Sequence, residues 1–376
     1  MVLLILVIVF LTACDSKKEQ STTVKHVIVA IEKDMFHGWP ANNGVWIWDN
    51  EIVVGYTQVE YAETGGHNIK EGASQLSLLA RSTDGGFNWK MYDPDHYVGD
   101  GNVKTRLTEA INFDQPGFAL RVFGIGYHGT NDPEAGFYYS TDRAATWNGP
   151  YDLGDIAALP EFEGKELTPR TDYIMLSERE CLGFISARVP DTGMTDKIAC
   201  IRTRDGGLSF EFLSWMVPLD DPYRAVMPQS VLVSKDHIVA VVRRRVVDDG
   251  SQCWIDAYHS LDGGTTWDFL SKVADTGAHN GNPPAMTRLS DGRLCCIYGN
   301  RTNRQILAKY SRDNGKTWGD EFLIRDNFYT GEDGQDMKDL GYCRLVQTKD
   351  QNLVAIYYWA SKDNPQQHIA ASIWKP

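Results

Sequence analysis

Short apolar runs alternate with polar turns along most of the chain, and two patterns of this alternation repeat. The first is an apolar strand, a polar turn and a second apolar strand ending in charge, and it occurs six times, as in "SVLVSKDHIVAVVRRR" and "CRLVQTKDQNLVAIYYW". Apolar runs bounded by turn residues are typical of β-hairpins, and no stretch has the periodicity of a long amphipathic helix. The pattern therefore predicts an all-β protein.

The second pattern is an octet that reads "STDGGFNW" at residues 82–89 and returns as "STDRAATW", "TRDGGLSF", "SLDGGTTW" and "SRDNGKTW". Its Ser or Thr and its Asp can accept hydrogen bonds from backbone N–H groups, and its Gly supplies positive φ, so each copy predicts a hairpin turn. The spacing of 51 to 63 residues indicates a repeat architecture. The octet aspartates are Asp84, Asp142, Asp205, Asp262 and Asp313.

The two patterns together predict six four-stranded antiparallel sheets. Short sheets at this period fit a β-propeller, because radial packing leaves only short, protected edges. The sixth unit has no octet and ends in "HIAASIWKP", while the early run "VKHVIVAIE" has no partner of its own. We therefore expect one six-bladed propeller over residues 24–376, with its ring closed by the N-terminal strand.

The first residues, "MVLLILVIVFLTAC", form an apolar run that is too short to span a bilayer. The small residues before Cys14 resemble a bacterial lipobox. This resemblance implies a signal peptide over 1–13, a lipid on Cys14 and a polar tether over 14–23. The mature protein would then be an extracytoplasmic lipoprotein, in the periplasm or at the cell surface, held to the membrane through that lipid only. A cleaved secretory signal with an incidental cysteine is the alternative.

Charge and composition narrow the possible partners. The chain has 376 residues, of which 42% are hydrophobic and 11% aromatic, enough for a large core. The formal charge of −13 without a basic stripe argues against nucleic acid, so an acidic ligand must be held by local arginines. Six cysteines beyond Cys14 lie in apolar runs and are expected to be buried free thiols.

No sequence motif implies a metal or a cofactor. Zincin, P-loop, Rossmann and G-x-S-x-G patterns do not occur in the sequence. We expect a monomer that works without a cofactor.

The octets resemble the Asp-box of the sialidase superfamily, whose members carry BNR repeats, and the five copies cover nearly all of the chain after the tether. The resemblance implies a six-bladed propeller with Asp-box turns at the outer ends of its blades. Because such turns also occur in propellers with other activities, we expect them to be structural rather than catalytic.

Chemistry in a propeller is expected where the innermost strands converge. The segments that open the six inner hairpins are rich in Arg, Asn, His and Tyr, side chains that suit sugar hydroxyls, ring faces and carboxylates. The candidates for substrate contact, which include His67 of the "YAETGGHNIKEG" segment, are Trp39, Asn42, His67, Arg170, Arg188, Gln229, Arg244, Asn282 and Arg304.

Sialidases hold a carboxylate with three arginines and attack with a tyrosine, an exception to the two-carboxylate scheme of most glycosidases. By this resemblance Tyr342 in "GYCRLVQ" is the expected nucleophile. Arg244 fits the second arginine, with its neighbours Arg243 and Arg245 as alternatives. Arg304 fits the third.

Arg301 is a less favoured alternative to Arg304 as the third arginine. Two other positions depart from the sialidase pattern. The first arginine is missing, since "MFHGWPANN" has His37 and Trp39 in its place. The position expected for the glutamate that takes the tyrosine proton is occupied by Gln229, whose amide cannot accept that proton. The phenol of Tyr342, with an ordinary pKa of about 10, then lacks an obvious route to phenolate.

The proton donor has several candidates. Asp339 ends the acidic run "GEDGQDMKDLGY" just before the tyrosine, Asp172 follows an arginine, and the 60–71 loop offers three glutamates and a histidine. Two carboxylates at the channel could also form an ordinary acid/base pair.

The leading hypothesis is an exo-glycoside hydrolase acting on the non-reducing end of a glycan whose sugar need not be sialic acid. A glycan-binding lipoprotein without turnover is one alternative. A polysaccharide lyase, with Tyr342 or His67 as base and an arginine neutralising a uronate, is another.

Overall fold

The structure, a computed structural model, describes residues 23–64, 66–95, 97, 103–124, 134–190, 195–278, 280–331 and 338–376. The predicted lipid site Cys14 and residues 332–337 of the acidic run lie outside the described residues. In the described part, helix is limited to α1 (Pro40–Asn43) and the 3-10 turns Ile156–Ala158 and Pro160–Phe162. None of these helices has the length and apolar character needed to cross a membrane.

Within the described residues, twenty-five strands form six antiparallel sheets, numbered here as blades in chain order. Blade 1 contains β2 (Met35–Gly38), β3 (Gly44–Trp48), β4 (Glu51–Glu60), β5 (Leu76–Ser82) and β6 (Lys90–Tyr92). Blade 2 contains β7 (Ala119–Phe123), β8 (Gly136–Ser140) and β9 (Asn148–Tyr151). Blade 3 contains β10 (Glu166–Leu167), β11 (Tyr173–Met175), β12 (Cys181–Arg188), β13 (Lys197–Thr203) and β14 (Glu211–Trp215).

The remaining three blades have four strands each. Blade 4 contains β15 (Arg224–Ser234), β16 (His237–Arg245), β17 (Cys253–Ser260) and β18 (Asp268–Gly277). Blade 5 contains β19 (Ala285–Arg288), β20 (Leu294–Asn300), β21 (Gln305–Ser311) and β22 (Phe322–Arg325). Blade 6 contains β23 (Gly341–Gln347), β24 (Leu353–Ser361), β25 (Asn364–Trp374) and the N-terminal β1 (Lys25–Ala30). The predicted six-bladed all-β fold is confirmed.

The ring closes as expected, through the N-terminal strand. Strand β1 pairs antiparallel with β25, from Lys25 opposite Ile373 to Ala30 opposite Ile369. The last blade therefore takes its outer strand from the start of the chain. The pairing covers the edge that β25 would otherwise present.

Blade 2 differs from the expectation of four strands. Its described sheet has three strands, and the predicted inner strand around "AINF" is irregular. The N–H groups of Ile111 and Phe113 donate instead to the carbonyls of Gly206 and Glu178, in turns of blade 3. Apolar alternation alone did not reveal this change of partner.

Apolar side chains pack between neighbouring blades. Tyr357 and Trp359 of blade 6 meet Ile297 and Ile306 of blade 5, while Ile356 on the same strand packs toward blade 1. Both faces of a middle strand are thus buried, as radial packing of blades requires. All six described cysteines are buried without disulfides.

The octet turns close the hairpins between the third and fourth strands. In the first, Asp84 accepts hydrogen bonds from Ser82 Oγ (2.8 Å), the N–H groups of Phe87 and Asn88 (3.1 and 3.0 Å) and Asn88 Nδ2 (2.6 Å). Burial raises the pKa of Asp84, but these hydrogen bonds outweigh it and lower the pKa below its ordinary value. The carboxylate is occupied by the turn itself.

Strand direction places the octet turns and Tyr342 at opposite ends of the blades. Tyr342 lies at the start of an innermost strand, and each octet follows the end of a third strand. Gly85 of the first octet donates its N–H to the carbonyl of Asn50, in the turn between β3 and β4. The convergent ends of the inner strands, here called the Tyr342 end, carry the site described next.

Candidate active site

Tyr342 begins strand β23 in a conformation that few tyrosines adopt. Its φ is 48°, in the left-handed region. Its N–H donates to Asn282 Oδ1 at 2.8 Å, and Asn282 is fully buried. The preceding Gly341 has a φ of 99°, and a Cβ there would lie 2.2 Å from Asn282 Oδ1. Asn282, expected to shape the pocket, thus fixes the backbone that aims the tyrosine.

Two arginines from different blades flank the Tyr342 ring. Arg243 Nη1 lies 3.4 Å from the hydroxyl oxygen, and the guanidinium carbon is 5.7 Å from the ring centroid. Arg301, which follows β20, has its guanidinium carbon 5.8 Å from the same centroid. The phenol lies between two cations.

These charges change the ionisation of the phenol. Burial raises the pKa of Tyr342, but the charges of Arg243, Arg301 and His67 outweigh that effect and lower the pKa to about 7. A phenolate can therefore form near neutrality without a carboxylate base. This is the route that the sequence did not reveal.

Arg243 is a buried cation without a carboxylate partner among the described residues. Its guanidinium donates to the carbonyl of Asn280 (3.1 Å from Nε) and that of Gly281 (3.4 Å), and Nη1 lies 3.6 Å from Met227 Sδ. A buried charge is costly unless it is paired. The site is accordingly suited to an anion, either the phenolate or a ligand carboxylate.

Asp339 lies beside Arg301 and connects it to a histidine. Its carboxylate accepts hydrogen bonds from Arg301 Nη2 at 2.9 Å, from His67 Nδ1 at 2.8 Å and from the hydroxyl of Tyr358. With 7% of its side chain exposed and three donors bound, it has little capacity to contact a substrate directly. Asp339 holds other groups in place.

His67 is the exposed member of this group. About half of its side chain (48%) is exposed, and its ring meets Trp39 edge-on at 5.1 Å. Burial lowers the pKa of His67, but the hydrogen bond and the charge of Asp339 outweigh that effect and raise it above 6.5. A protonated imidazole beside the phenolate can deliver a proton from Nε2. Trp39 and His67 thus lie together beside Tyr342.

A second network contains Gln229 and Asp172. Arg344 donates to Gln229 Oε1 at 2.8 Å and to the carbonyl of Ala41 at 2.6 Å, and Gln229 Nε2 donates to Asp172 at 3.0 Å. Ser230 donates its N–H (3.1 Å) and Oγ–H (2.9 Å) to the same carboxylate. Burial raises the pKa of Asp172 to about 7 against these bonds and the charge of Arg344.

This network corrects the expected role of Asp172 as proton donor. Both of its oxygens are bonded inside the protein, and it makes no contact with Tyr342. Gln229 bridges Asp172 and Arg344 instead of facing the tyrosine. Arg170 and Asn42 are likewise bonded inside the protein. Arg170 Nε donates to Asn42 Oδ1 at 2.7 Å, and both side chains are buried. They hold helix α1, next to Trp39.

Two other expected substrate arginines form ion pairs within the protein. Arg244 forms a bidentate ion pair with Asp221 (2.7 and 2.8 Å), because neighbouring residues on a strand point to opposite faces. Arg243, weighed as the alternative, makes the tyrosine contact. Arg188 pairs with Glu166 in blade 3.

Arg304 has a φ of 56° and is half-buried in the turn between β20 and β21. Arg301, three residues earlier, lies beside the Tyr342 ring. No pattern in "NRTNRQ" distinguishes the two positions. Tyr358, which binds Asp339, was also missed, because it lies within a continuous apolar strand that reads as core.

A cavity of about 750 Å³ lies elsewhere. Residues of the first two octet turns line it, including Trp89 and Asp142, together with Tyr92. It offers no group comparable with the tyrosine between two arginines. Nor do the described residues contain a group of three or more His, Cys, Asp or Glu able to hold a metal ion.

Solved structures share this fold at low identity. One is a protein of unknown function from Dyadobacter fermentans, with a TM-score of 0.68 and 19% identity over 94% of this chain and 99% of that chain. Another is the GH93 α-L-arabinofuranosidase of Fusarium graminearum in complex with arabinobiose, with a TM-score of 0.55 and 13% identity over 94% of this chain and 97% of that chain. A third is a Trypanosoma rangeli sialidase, with a TM-score of 0.53 and 12% identity over 88% of this chain and 53% of that chain.

No curated protein sequence gives a match to the chain. The family model of the BNR repeat-like domain, however, matches residues 61–356, well over half of the sequence. The chain belongs to the family of BNR repeat-like domain proteins.

Proposed function

We propose that this protein is an exo-acting glycoside hydrolase that removes a terminal, carboxylate-bearing sugar from a glycan with retention of configuration. The observation that carries the proposal is the Tyr342 phenol between Arg243 and Arg301, with a pKa lowered to about 7. A sialidase and an arabinofuranosidase share the propeller, and this likeness supports a glycan substrate.

The mechanism follows from the charges. The phenolate oxygen of Tyr342 attacks the anomeric carbon while His67 Nε2–H protonates the departing oxygen, so the glycan leaves as an alcohol and the sugar is bound to the tyrosine as an aryl glycoside. Neutral His67 then takes a proton from water as that water attacks the anomeric carbon. The products are the free sugar, the phenolate and protonated His67.

Arg243 supports this reaction in two ways. It stabilises the phenolate before the attack, and it has no carboxylate partner among the described residues, which leaves its charge for the substrate. Arg301 is already paired with Asp339 and so contributes less net charge. A single unpaired cation favours a monoanionic sugar.

The test is turnover of 4-nitrophenyl glycosides by wild type, Tyr342→Phe and Tyr139→Phe. The panel contains an α-sialoside, uronides, a fucoside, a rhamnoside and an α-L-arabinofuranoside. Tyr139, a tyrosine of blade 2 away from the site, is the matched control. We expect turnover of an acidic glycoside by wild type and by Tyr139→Phe, and its loss in Tyr342→Phe. Cleavage of neutral glycosides only, or turnover that survives in Tyr342→Phe, would overturn the proposal.

A lyase is the second candidate, because a phenolate formed without a carboxylate partner is also a base. It would take the proton next to a uronate carboxylate that Arg243 neutralises, and the glycosidic bond would break by elimination. The product would carry an unsaturated ring that absorbs in the near ultraviolet. Absorbance during incubation with polyuronates separates this outcome from hydrolysis, and binding without either product would indicate a glycan-binding protein.

We also propose that Cys14 carries a lipid and that the protein is extracytoplasmic. The support is the "LTAC" sequence after an apolar run. Expression of the full chain in a bacterium with labelled palmitate should label wild type and not Cys14→Ser. Equal labelling of both proteins would contradict the assignment.

A further inference from the structure

A groove at the Tyr342 end, around blade 4, is separate from the site described above. Two cavities of about 400 and 590 Å³ share the side chain of Tyr223 and together form what we call the rim groove. Its walls include Trp215, Leu219, Tyr223 and Trp254. Volumes of this size accommodate small-molecule or oligosaccharide ligands.

The groove exposes apolar surface that a closed propeller would normally bury. Leu219 is 53% exposed and Tyr223 is 39% exposed. The Tyr223 ring meets Trp254 edge-on, with centroids 5.1 Å apart and planes at 81°. Exposed aromatic rings with a wet polar tip are suited to stacking on the C–H face of a sugar ring.

Hydrogen bonds and an ion pair hold the loop that carries Tyr223. Lys197 Nζ donates to the carbonyls of Asp221 (2.6 Å) and Tyr223 (2.7 Å). Arg244, which is almost fully buried, donates two hydrogen bonds to the Asp221 carboxylate. Burial raises the pKa of Asp221, but the charge of Arg244 outweighs that effect and lowers the pKa below its ordinary value. A platform fixed in advance loses little entropy when a ligand binds.

One strand, β16, contributes a residue to the candidate active site and the next residue to the wall of the rim groove. Arg243 and Arg244 are neighbours on β16 and point to opposite faces, the first toward Tyr342 and the second toward Asp221 and the Trp254 ring, whose centroid lies 5.9 Å away. The rim groove and the Tyr342 site therefore lie at the same end of the ring, on opposite faces of β16.

We propose that the rim groove binds the leaving-group side of the glycan substrate, with sugar rings packed against Tyr223 and Trp254. This rests on the proposed function, because it assumes that the terminal sugar is held at Tyr342. Thr195 and Lys197 line the same cavity as Tyr223. The groove makes the protein selective for oligosaccharides over simple glycosides.

The test compares Tyr223→Ala with Phe269→Ala. Phe269 is also an exposed aromatic residue of blade 4 (58%), but it lies at the octet end of β18. For the sugar that the glycoside panel identifies, KM is measured on its 4-nitrophenyl glycoside and on a tetrasaccharide ending in that sugar. We expect Tyr223→Ala to raise KM about tenfold on the tetrasaccharide only, and Phe269→Ala to change neither value. Equal effects of Tyr223→Ala on both substrates, or none, would overturn the groove assignment.

A binding experiment separates this proposal from failure of the proposed function. Tyr342→Phe, with and without Tyr223→Ala, is applied to an immobilised array of defined oligosaccharides. Binding that Tyr223→Ala weakens supports the groove even if no glycoside is hydrolysed. Binding that is insensitive to Tyr223→Ala, or no binding to any oligosaccharide, counts against the groove whatever the turnover assay gives.

Discussion

Arg243 Nη1 lies 3.4 Å from the hydroxyl oxygen of Tyr342, and the two residues come from blades 4 and 6. The positive charge of Arg243 favours the phenolate, whereas a glutamate would generate it by accepting the phenol proton. A carboxylate beside the phenol would repel an anionic substrate, whereas a guanidinium attracts it. The pair therefore connects nucleophile activation to the choice of substrate.

Replacing this arginine should move the pH dependence of the reaction. In Arg243→Gln the pKa of Tyr342 should rise, because one of the charges that lower it is gone, and the acidic limb of kcat/KM should shift upward by about one pH unit or more. Arg312→Gln, in an exposed octet turn, is the control. An acidic limb that stays in place would show that Arg243 does not set the ionisation of Tyr342.

His67 should matter most for substrates with poor leaving groups. His67→Gln removes the proposed proton donor, and a general acid is worth about 100-fold or more in rate. An alkyl glycoside should lose that factor, while a 4-nitrophenyl glycoside, whose phenolate leaves without a proton, should lose far less. Equal losses on the two substrates would argue that His67 only shapes the site.

Asp339 should act through His67, and the pH profile tests this. In Asp339→Asn the imidazole loses the group that raises its pKa, so the basic limb of the pH profile should move to lower pH. Tyr358→Phe removes another hydrogen bond to the same carboxylate but no charge, and should shift that limb much less. If both variants leave the basic limb unchanged, His67 is not the titrating acid.

The sequence predicted the fold because the fold depends on local repeats. Each blade carries its own hairpins and turn residues, so six copies reinforce one interpretation, and even the closing strand follows from an unpartnered apolar run. Blade 2 deviates where Ile111 bonds to the next blade rather than to its own. That partner is non-local and leaves no periodic signal.

The site could be predicted only in part, because it joins side chains from several blades. His67 and Asp339 are 272 positions apart, and no spacing rule relates them. On β16 every residue after the first is buried, since blades pack on both sides, so alternation cannot tell whether Arg243 or Arg244 faces the channel. Tyr342 was found through resemblance, but its low pKa depends on this three-dimensional arrangement.

The octet aspartates should affect stability and leave catalysis unchanged. Asp84→Ala removes an acceptor of four hydrogen bonds and should lower the free energy of unfolding by about 1–2 kcal/mol. Urea unfolding measures the loss, and Lys90→Ala, on the adjacent strand, is a surface control. A fall in kcat without a fall in stability would instead assign the turn a functional role.

The pKa of Asp172 makes stability depend on pH. A folded pKa of about 7, above the ordinary 3.8, means that the native state binds a proton more tightly than the unfolded chain does. The stability this provides is full below about pH 4 and is lost as pH rises through 7, with a slope of up to about 1.4 kcal/mol per pH unit. Asp172→Asn should remove that slope from urea unfolding curves recorded between pH 4 and 8. An unchanged slope would show that another group causes it.

Gly341 tests whether the strained backbone at Tyr342 matters. A Cβ at position 341 would meet Asn282 Oδ1 at 2.2 Å, so Gly341→Ala combines a left-handed conformation with a clash at the residue that holds Tyr342. Gly263→Ala has the first problem alone, because its φ is +71° and open space surrounds it.

Gly263→Ala should cost about 1 kcal/mol of stability and no activity. Gly341→Ala should cost more stability and should lower kcat at least tenfold, because the displaced tyrosine no longer lies between its two arginines. Parallel urea unfolding and turnover assays compare the two variants. Equal behaviour would mean that the Asn282 contact contributes nothing to the reaction, whereas the expected difference would tie the strain at Tyr342 to catalysis.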